Sequence, residues 1–152
     1  MRQLIIVRKD LEMSAGKMAA QVGHASNAFL MQKIKNGGRH LWLNFDTGDP
    51  ESYEINISFP IDVFEQWICG IFTKTICEAK NKNQLIKAVT MAEELGLKEG
   101  EDFFLIKDNC LTELEPEEIG EDGIGRTLTC IGFSPLPDDM AHAISRKYQL
   151  YK

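Results

Sequence analysis

Residues Leu4–Ala25 read LIIVRKDLEMSAGKMAAQVGHA. Leu4–Val7 is an unbroken apolar run of strand length, the pattern of a strand covered on both faces. Arg8–Gly16 is a polar connection in which Ser14 can cap a helix and Gly16 permits close approach at its first turn. A helix is predicted from about Ala15 to about Lys35, stopped by Asn36-Gly37-Gly38. Its apolar stripe holds Met18, Val22, Ala25 and Phe29. Lys17, Gln21 and His24 stand at i, i+4 and i+7, so at about 100° per residue they share one narrow stripe. An ammonium, an amide and an imidazole in line among alanines suit a surface that holds something anionic or polar. His24 also reads as a hydrogen-bonded core histidine.

Working outward, Asp46-Thr47-Gly48-Asp49-Pro50 is a turn signal, and Tyr53–Phe59 alternates like a strand, so a hairpin with Leu41–Phe45 as first arm is predicted. Pro60–Ile68 reads as a short helix and Phe72–Ala79 as a strand. Lys82–Leu95 is amphipathic, with Leu85, Ala88, Val89, Ala92 and Leu95 inward and Gly96 as its stop. Phe103–Lys107 and Arg126–Phe133 are further strands, Asp138–Lys147 a last helix, and Gln149–Tyr151 an extended tail. Strands and helices in this order predict a single α/β domain over 1–152. The expected architecture is a three-layer α/β/α sandwich around a mixed, mostly parallel sheet of about four strands. Sites in such folds gather beyond strand carboxyl ends. The connections after Val7 and Lys107 and the strand Thr127–Ile131 are therefore the places to search.

With 43% hydrophobic and 26% charged residues the composition is that of an ordinary globular domain. No apolar run reaches the ~18 residues of a membrane span, and the start is too briefly apolar for a leader peptide. Cys69, Cys77, Cys110 and Cys130 form no CxxC pair and no zinc spacing with histidine, so reduced thiols in a cytoplasmic setting and no metal site are expected. The net charge of −6 argues against a general nucleic-acid binder, but it is unevenly spread. Residues 1–39 carry seven basic groups and two acids, a balance of +5, which leaves −11 for the rest. Glu113–Asp122 alone holds six acids and no base.

Lys17 and the amides of the first helical turn favour an anion through their N–H donors and the helix dipole. No GxxxxGK[ST] or GxGxxG occurs, so neither an NTPase nor a dinucleotide site has motif support. Asp108 follows a strand directly, with Thr112 four residues on. A carboxylate there orders or deprotonates water, or caps a turn. Thr127 and Thr129 share parity, so both hydroxyls lie on one face of their strand. They read as oxygen-binding groups or as good β formers.

LIIVRKDLEMSAGKMAAQVGHA resembles the opening of the archaeal and eukaryotic type of peptidyl-tRNA hydrolase, with its basic–aspartate–leucine step and GK-x-AAQ-x-x-HA helix. Further blocks follow in the family's order. Trp67-Ile68-Cys69-Gly70 and the strand to Ala79 are similar to its second strand entry, and Gln84–Gly96 to its middle helix. Leu105–Leu114 resembles LI-x-DAGRTQI, Thr127–Pro135 a strand ending in GIGP, and Tyr148–Tyr151 the terminal K-L-Y. The resemblance implies hydrolysis of the ester joining a peptide to the 3′ end of tRNA, without a cofactor, by a cytoplasmic homodimer. It implies Lys17, Asp108, Thr112 and Thr129 as catalytic residues. Gly16, Gln21, His24, Thr127 and Arg8 are the expected substrate-binding residues beside them. The implied roles are water activation for Asp108, oxyanion stabilisation for Lys17, and positioning of ester or ribose hydroxyls for Thr112 and Thr129. The alternative reading is a non-catalytic RNA- or protein-binding module of the same fold.

Three departures stand out. The family's Ala-Gly-Arg after the aspartate is Asn109-Cys110-Leu111 here, removing a cation that Lys107 or Arg126 would have to replace. About twenty-five residues, Asn44–Ile68, read as an insert or a remodelled segment. The acidic loop Glu115–Gly125 lies beside the expected site, where free carboxylates would repel RNA.

Overall fold

A computed structural model describes residues 1–152. Strand β1 (Arg2–Arg8) leads into helix α1 (Ala15–Asn36). A hairpin follows, β2 (Gly38–Leu43) and β3 (Pro50–Asn56), then a short π-type helix at Val63–Ile71. Strand β4 (Lys74–Ala79), helix α2 (Lys82–Glu94) and strand β5 (Phe103–Asp108) come next. A two-residue β6 (Glu118–Ile119), the long β7 (Gly125–Leu136), α3 (Asp138–Ser145) and a short β8 (Gln149–Leu150) complete the chain.

The sheet runs β5-β7-β1-β4-β8, with β6 pairing on β7. Three of the four long strands, β1, β4 and β5, point the same way, as the helical crossovers demand. The fourth, β7, is antiparallel to both its neighbours and separates β5 from β1. Only β1 and β4 therefore share a parallel ladder. The reason is local: β5 and β7 are joined by a loop rather than a helix, so the chain returns antiparallel. The sheet is mixed and three-layered as expected, with four long strands and two short ones.

Alternation along β1 divides the core. Leu4 and Ile6 join Leu85, Ala88 and Ala92 of α2 and Ala141 and Ile144 of α3 on one face. Ile5 and Val7 join Ala25 of α1 and Cys130 of β7 on the other. Both faces are covered, which is why the strand reads as a continuous apolar run. On the α1 side the approach is closest at Gly132, where an added Cβ would lie 2.3 Å from the Ala25 carbonyl oxygen. Backbone cannot swing aside as a side chain can. Gly132→Ala is expected to destabilise the fold by about 1–3 kcal/mol, read from its urea midpoint.

Strand β7 carries a bulge. Ile106 pairs with Cys130 but Lys107 pairs with Leu128, so Thr129 is an extra residue opposite one step of β5. Because of it, Thr129 and Cys130 both reach α1: the Thr129 hydroxyl and the Cys130 thiol each bond Gln21. A regular strand would have sent them to opposite faces.

The hairpin at Gly38–Asn56 forms where its turn signal placed it, as a two-stranded sheet of its own. The following segment is tied down by Trp67, which is 1% exposed, meets the Phe29 ring edge-on at 5.8 Å and donates to the Thr73 carbonyl.

Candidate active site

Two elements end side by side. Helix α1 begins at Ser14, whose hydroxyl accepts from the Lys17 amide at 3.2 Å, a side-chain cap of the expected kind. Strand β5 ends at Asp108, at the sheet edge where the directions of β5 and β7 bring the acidic loop back over the sheet. Across this gap Lys17 Nζ lies 2.7 Å from Asp108 Oδ2 and donates to Thr112 Oγ1 at 3.0 Å. Gln21 Nε2 donates to the same Asp108 Oδ2 at 2.8 Å. The Cys110 amide donates to Asp108 Oδ1 at 2.9 Å. Lys17, Gln21, Asp108 and Thr112 thus meet at one place, drawn from a helix, a strand end and a loop.

Thr129 reaches the cluster indirectly. It is fully buried, and its Oγ1 lies 2.7 Å from Gln21 Oε1 and 3.0 Å from the Ile106 carbonyl. Gln21 is itself 3% exposed and spans from Thr129 to Asp108. The bulged threonine orients the amide that orients the carboxylate. Its hydroxyl is not presented to solvent. Thr129→Val keeps the volume but leaves Gln21 Oε1 without its donor. The expected result is a fall in kcat of about tenfold with KM little changed, restored by Thr129→Ser; steady-state kinetics checks it.

The loop after Asp108 is pinned at several points. Glu113 takes two hydrogen bonds at the start of α1, from the Ser14 amide and hydroxyl, both 2.8 Å. Leu114 is buried among Ile5, Val7, Met13, Ala25 and Cys130. Glu117 pairs with Arg8 at 2.7 Å and Lys82 at 2.9 Å, Glu118 with Lys107, and Asp122 with Arg126. Four of the six acids are engaged, so the loop is a paired strap rather than a row of free carboxylates. Sequence reasoning missed Glu113. Its only signal was the capping serine at Ser14, which says nothing of what lies ninety-nine residues away.

Cys110 takes the turn with φ +54, left-handed backbone without a glycine. The Asx turn closed by Asp108 holds it there. Cys110→Gly should change stability by less than about 1 kcal/mol, measured by thermal unfolding, since relief of the left-handed penalty is offset by lost packing against the core and by the freer unfolded chain.

Two expected substrate-binding residues have other work. Arg8 is buried, with its donors on Asp10, Glu117 and the Leu128 carbonyl, so it joins the strap to the sheet instead of facing substrate. Thr127 is buried too, donating to the Glu115 carbonyl at 2.6 Å and accepting from the Glu117 amide at 3.0 Å. Lys107 and Arg126 turn toward the strap and do not replace the cation missing at Leu111, which is 85% exposed. Gly16 lies open at the first turn of α1, with nothing near it. His24 is exposed and makes no hydrogen bond, one turn beyond Gln21; it is not a core histidine.

Electrostatics favour an ionised Asp108. Burial pushes its pKa up, but the Lys17 ammonium, the Cys110 amide and the Gln21 amide together outweigh that and hold it below the usual carboxylate range. Glu117 is likewise lowered, first by its Arg8 bond. Burial pushes the Cys130 thiol up to about 12, so it is inert at neutral pH.

A cleft of about 580 Å³ lies at the far end of α1 between Phe29, Asn36, Asn56 and Asp102 and holds none of these groups. The Lys17 and Asp108 side chains lie elsewhere, 14% and 11% exposed.

The chain is similar to known proteins along most of its length. A family profile described as peptidyl-tRNA hydrolase PTH2 matches residues 1–151. A protein of Methanopyrus kandleri named peptidyl-tRNA hydrolase is 33% identical over 135 residues, 88% of this chain and 84% of the relative. Proteins with the same name from Thermococcus onnurineus and Sulfolobus acidocaldarius are 28% and 26% identical. Their matches cover 98% and 99% of this chain and 96% and 99% of the relatives. The chain belongs to the PTH2 family of peptidyl-tRNA hydrolases.

Proposed function

We infer that this chain hydrolyses the ester bond between a peptide and the 3′ end of tRNA, and so recycles tRNA for translation. The observation that carries the reading is the convergence of Lys17, Gln21, Asp108 and Thr112 at one place. Counting donors and acceptors assigns the roles. An ionised carboxylate has about four acceptor positions. Asp108 Oδ2 uses two, on Lys17 and Gln21, and Oδ1 uses one, on the Cys110 amide. The remaining lone pair on Oδ1 accepts from the attacking water. The Lys17 ammonium has three N–H donors and spends two, on Asp108 and Thr112. The third meets the oxyanion that forms at the ester carbonyl. Thr112 accepts from Lys17, which leaves its own proton for a ribose hydroxyl or ester oxygen.

The water proton passes to Asp108 as the hydroxide adds to the carbonyl carbon. The C–O bond to the 3′ oxygen then breaks, and that oxygen takes the proton back from Asp108. A carboxylate held at low pKa is a weak base, so most of the acceleration falls to Lys17 and to orientation. The open Gly16 and exposed His24 flank the approach of the substrate. The basic first forty residues favour the phosphates of tRNA. A cytoplasmic setting and a homodimer complete the reading. Incubation with a model peptidyl-tRNA tests it: release of peptide is expected, whereas tRNA binding without release would select the non-catalytic module. Sedimentation velocity tests the dimer.

A further inference from the structure

The hairpin β2–β3 stands outside the main sheet. Its strands pair only with each other, and all but Ile55 of their residues are exposed. An isolated two-stranded hairpin is marginal in water, and one with an apolar face is more so. Yet ten of the seventeen exposed large hydrophobic residues of the chain fall in residues 41–72. Leu41 faces Tyr53 across the ladder, and Trp42 stands on the opposite face, its indole donating to Glu54.

The tip is built rather than loose. Asn44 Oδ1 accepts from the Asp46 and Thr47 amides, the Asn44 carbonyl accepts from Gly48, and the Thr47 hydroxyl accepts from the Asp49 amide. On this hydrogen-bonded turn Phe45 is wholly exposed, flanked in sequence by Asp46 and Asp49. A rigid aromatic anchor loses little entropy on binding.

Charge selects the partner. Gly38–Asn56 holds one base, Arg39, and four acids, a balance of −3. That sign repels phosphates, anionic membranes and a second copy of the same hairpin. It attracts a cationic protein surface. Position separates this face from the catalytic one. The hairpin starts twenty-one residues along from Lys17, about 30 Å of helix, so both faces can be occupied together.

We propose that the β2–β3 hairpin is a docking finger for a basic protein, with Phe45 seated in an apolar pocket whose rim supplies lysine or arginine to Asp46 and Asp49. The proposal does not depend on the hydrolase reading, which a separate assay follows.

The full-length chain carries its own reporter. Trp42 is 51% exposed and Trp67 is 1% exposed, so emission changes on binding come from Trp42, with Trp42→Phe as control. The probes are a synthetic amphipathic peptide of leucine and lysine, its leucine–glutamate counterpart, and mixed tRNA. Expected is a saturable blue shift with the lysine peptide alone, weakened by salt. Phe45→Ser, and separately Asp46→Asn with Asp49→Asn, should each weaken it about tenfold with peptide release from peptidyl-tRNA unchanged. Three results would overturn the proposal. These are no response to the lysine peptide, an equal response to the glutamate peptide or to tRNA, or a self-association in sedimentation that Phe45→Ser abolishes.

Discussion

Asp108→Ala is expected to lower kcat/KM for peptidyl-tRNA by about a thousandfold, the combined loss of a positioned base and of the group that orients Lys17. The side chain is the meeting point of Lys17, Gln21 and the Cys110 amide, so its removal also releases Lys17 from its place. Asp108→Asn separates the two effects. The amide keeps the volume but presents an N–H where the carboxylate accepted, and it cannot take a proton from water. If the carboxylate does the chemistry, the Asn variant is nearly as slow as the Ala variant while both still bind tRNA. A single-turnover assay beside a filter-binding isotherm measures both quantities. Full turnover in either variant would remove Asp108 from the mechanism.

Lys17→Met is expected to lower kcat about a hundred- to a thousandfold, the usual effect of removing one oxyanion donor. It carries a second signature in pH. In the wild type Asp108 is held below the ordinary carboxylate range, Lys17 opposing the upward push of burial. Activity that needs the ionised form therefore persists into acid and is lost only as pH falls through that lowered value. Without the ammonium, burial acts against fewer opposing groups and the pKa rises. The acid limb of the residual kcat/KM profile then moves to higher pH. Stability follows the same sign: the ion pair contributes fully above the unfolded carboxylate value, about 4, and its contribution disappears as pH falls through the folded one. An unshifted acid limb in Lys17→Met would show that some other group sets it.

Much of the fold was legible because its elements are locally driven. The apolar run Leu4–Val7, the capped helix from Ala15, the Asp46–Pro50 turn and the amphipathic Lys82–Leu95 each carry their own periodicity and boundary residues, and each forms within a few residues of its expected bounds. Lys17, Gln21, Asp108 and Thr112 were legible as chemistry through strand-end position and resemblance. The direction of the β7 ladder was harder to read. It depends on whether a loop or a helix joins β5 to β7, and the acidic stretch between them has neither period.

The roles within the site belong to a different level. By itself, the sequence determined an α/β chain of the PTH2 family with its reactive groups at the starts and ends of particular elements, because capping, periodicity and strand termination are properties of short segments. Only the tertiary structure decided that Thr129 sits in a bulge bonded to Gln21, and that Arg8 and Thr127 are buried against the strap. It also turned the acidic run into a set of ion pairs anchored by Glu113 on Ser14. The Thr129–Gln21, Arg8–Glu117 and Glu113–Ser14 contacts depend on which donor meets which acceptor across about a hundred residues of chain. Partner choice over that range follows from packing and burial, since a buried polar group must find a partner and only the assembled core determines which one is near.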